Sequence, residues 1–235
     1  MNVLPPVAKL KGMAFDLLFP KWCVGCGKEG DFICPSCRRL ISQIVPPLCP
    51  RCGKHQPSGI LCPSCVSWQA EIDGIRSPFQ FDGVMRQAIH QLKYGNIRAL
   101  AKPLAKLLND YLITNPIPGE VLVPVPLHQK RLRERGYNQS SLLANELGKL
   151  INLPVIDDCL VRQQHAPPQA RTLTVEERRS NVADAFTCTN LRLKDKQVLL
   201  IDDVSTSGAT LDACAAALKL AGVTSVWGLV LAREI

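Results

Sequence analysis

Between Val198 and Leu211 the chain reads VLLIDDVSTSGATL. A short apolar run ends in two adjacent carboxylates, Asp202 and Asp203, and then breaks into small, hydroxyl-bearing residues. An Ala-rich amphipathic stretch follows at once. Physically this is a buried strand carrying two acids to its carboxyl end, then a loop at a helix N-terminus. Such a loop suits a phosphate, because unpaired helix N–H groups point at it and the helix dipole favours negative charge. The acids repel a bare phosphate but can hold ribose hydroxyls, directly or through Mg2+. Acids for a sugar beside amides for its phosphate describe a site for a phosphorylated ribose.

The stretch resembles the phosphoribosyl pyrophosphate (PRPP) signature of type I phosphoribosyltransferases, two acids followed by a Thr/Ser-Gly-x-Thr loop. It departs in having Ser207 where many members carry Thr, which keeps the hydroxyl. The resemblance implies that Asp202 and Asp203 face the ribose 2′ and 3′ hydroxyls. It also implies that Thr206, Ser207, Gly208, Ala209 and Thr210 cradle the 5′-phosphate. The motif assigns no catalytic residue, and a retained fold without transfer chemistry stays open.

A second chemistry lies upstream. Eight of the eleven cysteines form four CxxC pairs, Cys23/Cys26, Cys34/Cys37, Cys49/Cys52 and Cys62/Cys65. Two CxxC turns supply four thiolates to one tetrahedral metal and leave no open coordination position, as in a structural zinc site. A disulfide framework is the alternative in an oxidising compartment, and an iron–sulfur cluster is another. CVGCGKEGDFICPSC repeats as CPRCGKHQPSGILCPSC, with a loop two residues longer. Each copy is therefore the natural metal-binding unit. That pairs Cys23, Cys26, Cys34 and Cys37 on one zinc and Cys49, Cys52, Cys62 and Cys65 on the other; interleaved pairing is the alternative. His55 is surplus to eight sulfurs and is expected to face solvent. Cys159, Cys188 and Cys214 stand apart in apolar settings and read as core thiols.

These sites need a scaffold. The chain's 235 residues allow one large domain or two modest ones. The expected division is a zinc-ribbon module with a short N-terminal helix over 1–70 and an α/β domain over 71–235. No run reaches the ~18 apolar residues that span a bilayer, and the N-terminal apolar patch is short and carries Asp16. The expectation is a cytoplasmic protein without membrane insertion. The formal charge of +8 overstates the holo-protein. Four thiolates and one Zn2+ sum to −2, so two sites leave about +4. Part of the excess is concentrated in Lys130, Arg131, Arg133 and Arg135, which read as a loop able to face pyrophosphate or another polyanion, or as a solvated surface.

Beyond the cysteines, strand and helix patterns alternate. Gly74 to Phe81, Val121 to Pro126, Gln197 to Asp202 and Val223 to Leu231 read as strands. Helical stripes run through Val84–Leu92, Leu100–Tyr111, Asn138–Ile151 and Leu211–Leu218. Alternation of this kind predicts an α/β fold with a parallel sheet flanked by helices, its site at the strands' carboxyl ends. The polar segment from Arg162 to Phe186 has little periodicity, as expected of a functional loop.

IHQLKYGN (Ile89 to Asn96), PVPLHQKRLRERGYNQS (Pro124 to Ser140), the Gln169-x-Arg171…Arg178…Asn181…Phe186 pattern and the acid–phosphate stretch complete a wider resemblance. With the cysteine array, they make nearly the whole chain similar to the ComF/GntX family of competence-linked, phosphoribosyltransferase-like proteins. The resemblance implies a type I phosphoribosyltransferase-like domain behind a zinc ribbon, with PRPP or a nucleotide as ligand and zinc and magnesium as metals. It implies a role in handling incoming single-stranded DNA, with a DNA-uptake helicase or other competence proteins as partners. A working phosphoribosyltransferase and a zinc-dependent scaffold are the competing functions.

Overall fold

The computed structural model describes residues 20–163, 185–188 and 191–234. The N-terminal helix expected before Pro20, and most of Arg162 to Phe186, lie outside the described residues.

A parallel sheet runs through the molecule in the order β3 (Val121–Pro124), β6 (Gln197–Ser205), β7 (Ser225–Arg233), then β1 (Gly74–Arg76) and β2 (Phe79–Gln80) one after the other along the far edge of β7. Val155 adds a single parallel bridge outside β3. The two central strands are buried almost end to end. Continuous apolar runs such as VLLI and GLVLA are what a strand covered on both faces requires.

Helices cover the sheet on both sides. On one face α3 (Gly83–Tyr94), α4 (Ala101–Thr114) and α6 (Gln139–Ile151) pack with Leu122, Leu199, Ile201, Leu229 and Leu231. In α6 the buried positions Ser140, Leu143, Ala144, Leu147 and Gly148 follow the three-and-four spacing of a one-sided helix. The other face is covered by α7 (Ala209–Leu220) and by the antiparallel pair of β4 (Leu160–Arg162) and β5 (Phe186–Cys188). Cys159 and Cys214 are fully buried there, as expected of core thiols, while Cys188 is half-buried.

The two cysteine repeats sit on opposite faces. Cys23 and Cys37 join the core of α3 and α4, whereas Cys49, Cys52, Cys62 and Cys65 join the core of α7. Each CPSC segment opens a short helix, α1 (Pro35–Arg39) and α2 (Pro63–Val66), with its first cysteine as N-cap and its proline in the first turn.

Three expectations need correction. Gly74 to Phe81 is two short strands, because Ser77-Pro78 interrupts the ladder. The basic segment is not a loop: Gln129–Arg135 forms helix α5, capped by the His128 side chain and closed by Gly136 at φ 76°. The signature strand does not end at Asp202 but runs on to Ser205, since Val204 and Ser205 still pair with Ala232 and Arg233 of β7.

Candidate functional site

Residues from β6 and from the start of α6 meet where the sheet's connections diverge. The chain leaving β6 crosses one face through α7 to β7, while the chain leaving β3 crosses the other through α6 to the Val155 bridge. Neighbouring strands whose connections depart in opposite directions open a crevice at their carboxyl ends, the usual ligand position in open α/β sheets.

Asp202 and Asp203 face this crevice region with different partners. The Ser140 hydroxyl donates to Asp202 Oδ1 at 2.8 Å, and the Asp203 backbone N–H donates to the same oxygen at 2.9 Å. Asp203 is buried, and its Oδ2 meets the Lys93 ammonium at 2.8 Å. Burial, reinforced by the Asp203 charge, pushes the Asp202 carboxyl up to about 7. The pair thus holds one internal cation, and the Asp202 carboxyl supplies a net negative charge to a ligand or metal once it loses its proton above about pH 7.

Immediately beyond, the loop turns into α7. Asp202, Thr206, Ser207, Gly208, Ala209 and Thr210 line one small cavity of about 40 Å3. Gly208 is the N-cap with φ 80°, a left-handed conformation that favours glycine. A Cβ there would also come within 2.8 Å of Ile75 and 3.0 Å of the Trp68 ring. The Ser207 hydroxyl accepts from the Ala209 N–H at 3.4 Å. The expected phosphate residues are therefore gathered at one helix N-terminus beside one of the two acids.

RGYNQS is mostly architecture. Arg135 donates to Gln139, and the Tyr137 hydroxyl donates to the Leu92 carbonyl. Tyr137 is buried, with the Arg98 guanidinium 4.6 Å from its ring centre. Asn138 caps α6 through the Ser140 N–H and donates to the Val125 carbonyl at 2.9 Å. These contacts carry Ser140 to Asp202. A larger cavity of about 400 Å3 lies between α3 and α5, lined by Lys93, Tyr94, Asn96, Arg131, Glu134, Arg135 and Tyr137. Of the four basic residues, Arg131 and Arg135 reach this cavity; Lys130 and Arg133 are exposed outside its lining. Tyr94 is the exposed aromatic there, with the Arg135 guanidinium 5.2 Å from its ring centre.

Sequence reasoning passed over Lys93 and Ser140 as site residues. Both lie within the two most characteristic segments, IHQLKYGN and RGYNQS, so the signal was present but carried no assignment.

The sulfurs of each cysteine repeat lie within 4.8 Å of one another, in the pairing that duplication implies. Tetrahedral zinc with Zn–S near 2.3 Å requires sulfurs about 3.8 Å apart. Cys26 and Cys34 sulfurs stand 3.7 Å apart, as do those of Cys52 and Cys62. In both repeats a backbone N–H aims at the first sulfur, Cys34 at Cys23 and Cys62 at Cys49, each at 3.4 Å. The donor sets fit two structural zinc ions. His55 is exposed and stands outside both sulfur clusters.

Competence protein F of Haemophilus influenzae is 30% identical over 223 residues, spanning 88% of this chain and 95% of its own. The chain belongs to the ComF family. Its N-terminal residues 14–66 match the double zinc ribbon domain. Competence protein ComFC of Bacillus subtilis is 30% identical over 84% of both chains, and the DNA utilization protein YhgH of Salmonella typhi is 29% identical over 86% of this chain and 91% of its own. Among solved structures, a purine phosphoribosyltransferase from Pyrococcus horikoshii aligns over 60% of this ComF-family chain and 75% of its own, with 20% identity and a TM-score of 0.32. No helix among the described residues is long and apolar enough to cross a membrane.

Proposed function

We propose that this ComF-family protein handles single-stranded DNA during uptake in the cytoplasm. Its crevice at Asp202, Asp203 and Thr206–Thr210 binds PRPP or a nucleotide with Mg2+. The observation that carries the reading is the gathering of Asp202 and the phosphate loop around one cavity at the crevice of the sheet. Asp202 offers a carboxylate to the metal or to ribose hydroxyls; Asp203 offers the other once Lys93 turns to the ligand's phosphates. Lys130, Arg131, Arg133 and Arg135 on α5 supply the phosphate contacts for a strand running past the site. The names of two relatives, a competence protein and a DNA utilization protein, support the DNA context. A DNA-uptake helicase is the partner class that such a context supplies. Residues 1–70 act as the zinc-bound module and 71–235 as the phosphoribosyltransferase-like domain.

A working transferase is the second reading. The cavity of about 400 Å3 favours it, because it leaves room for an acceptor beside Lys93, which in turn meets Asp203. Calorimetric titration of the zinc-loaded protein with PRPP, with and without Mg2+, tests the shared pocket. Asp202→Asn combined with Asp203→Asn is expected to abolish Mg-dependent binding in a chain that still folds. Unchanged affinity in the double variant overturns the assignment, and pyrophosphate release from PRPP with a candidate acceptor favours the transferase.

A further inference from the structure

Arg233, the last residue of β7, is only 2% exposed. A guanidinium stays protonated when buried, so its charge must be matched nearby. No carboxylate pairs with it among the described residues; the groups near it that become negative once metal binds are the thiols of Cys49, Cys52, Cys62 and Cys65. Four thiolates around one Zn2+ carry −2, which makes this centre the natural counterion of a buried arginine. The guanidinium fork also joins two segments. Nη1 donates to the Cys52 carbonyl, and Nη2 donates to the Thr206 carbonyl at 3.1 Å.

A second link runs in parallel. Trp68, three residues after Cys65, donates from Nε1 to Asp212 Oδ2 at 3.2 Å, while its ring closes on Gly208. Asp212 Oδ1 accepts from the Glu71 and Ile72 N–H groups at 2.8 and 3.0 Å. The loop that turns into α7 is therefore tied at Thr206 to Cys52 of the second repeat, and the first turn of α7 is tied to residues 68–72 just beyond that repeat. The first repeat, on the opposite face, packs on α3 and makes neither link.

We propose that Arg233 is a positioning residue that couples the second zinc centre to the phosphate loop, so that metal at Cys49, Cys52, Cys62 and Cys65 fixes the loop while metal at the first centre does not. The coupling belongs to the packing and holds whatever anion the loop takes. Full-length zinc-loaded protein is compared with Arg233→Met and Arg233→Lys. Release of each zinc to a chromogenic chelator and amide hydrogen exchange of the segment 205–212 are followed together. Arg233→Met is expected to release one of the two ions at least about tenfold faster and to speed loop exchange by a similar factor. Arg233→Lys, which restores the charge but not the fork, is expected to return zinc retention to within about threefold of wild type while the loop stays fast. Cobalt substitution, through the thiolate charge-transfer band, reports whether the tetrahedral second centre is formed in each variant. Wild-type zinc release in Arg233→Met overturns the proposal, as does fast release with wild-type loop exchange. If Arg233→Met does not fold, Arg233→Lys decides: a loop as slow as wild type overturns the fork, and a fast loop with retained zinc supports it.

Discussion

The two cysteine repeats are nearly the same sequence put to different structural use. Both begin with a CxxCGK turn, in which the Gly27 and Gly53 N–H groups close on the Cys23 and Cys49 carbonyls at 2.8 and 2.9 Å. Both carry a CPSC helix. In the first repeat Cys26 is exposed and Cys34 half-buried; in the second all four cysteines are buried. The difference comes from docking. The Arg51 carbonyl accepts from the Ile75 N–H at 2.7 Å, so the second repeat extends the edge of the sheet itself. Gly53 makes this possible, since a Cβ there would stand 2.4 Å from the Ile75 carbonyl oxygen. Two copies of one metal clip thus serve as an outer brace and as part of the inner core.

Removing one ligand from each repeat should break the symmetry most visibly. Cys52→Ser takes a sulfur from a buried centre and leaves Arg233 short of its counter-charge, so a melting temperature lower by about 10 °C or more is expected. Cys26→Ser, at an exposed ligand, is expected to cost less than half as much. Equal losses in thermal unfolding of the two zinc-replete variants would show that the repeats are energetically equivalent despite their burial.

An intermediate effect is expected at the acid pair. Asp202 holds its proton to about pH 7 in the folded chain, whereas an unfolded Asp releases it near pH 4. Its folded value is raised, so the stability it contributes is full below about pH 4 and is lost as pH rises through about 7. Asp202→Asn removes that loss. The variant is expected to melt above wild type by roughly 2–5 °C at pH 8, with a gap that narrows toward pH 5.5. A pH-independent gap would mean that the carboxyl does not titrate there.

The smallest effect on stability, and a diagnostic one for binding, belongs to α5. None of its residues is buried. Replacing Lys130, Arg131 and Arg133 by Gln should leave melting unchanged within about 1 °C and weaken single-stranded DNA binding across sequences. It should also flatten the salt slope by up to ~2 units if all three meet phosphate. A wild-type slope would move any DNA contact to the zinc repeats, and the exposed first repeat would then be the one to alter.

Much was legible without coordinates, for a physical reason in each case. Duplication favoured pairing within each copy over the interleaved alternative, and the sulfur clusters fall in that pairing. The covered parallel sheet followed from apolar runs alternating with helical stripes. The gathering of Thr206 to Thr210 at a helix N-terminus followed from a local unit, a strand end and a helix start, whose geometry depends on few distant contacts. The strand boundary at Asp202 was misplaced because Val204 and Ser205 are held by a partner strand twenty-eight residues away in register. The basic segment was misread as a loop because its helix is short and exposed, with no apolar stripe to mark it.

What the sequence alone determined was therefore chemistry carried by neighbours along the chain: thiolates in pairs, acids side by side, hydroxyls at a helix start. Tertiary structure alone decided which of these groups touch. It set Lys93 on Asp203, Ser140 on Asp202 and Arg233 between Cys52 and Thr206, with sequence separations of 62 for Ser140 and Asp202, 181 for Cys52 and Arg233 and 27 for Thr206 and Arg233. Ion pairs and buried hydrogen bonds between such distant residues leave no periodic trace, since each needs only one polar residue at the right place in a core that the apolar pattern has already built.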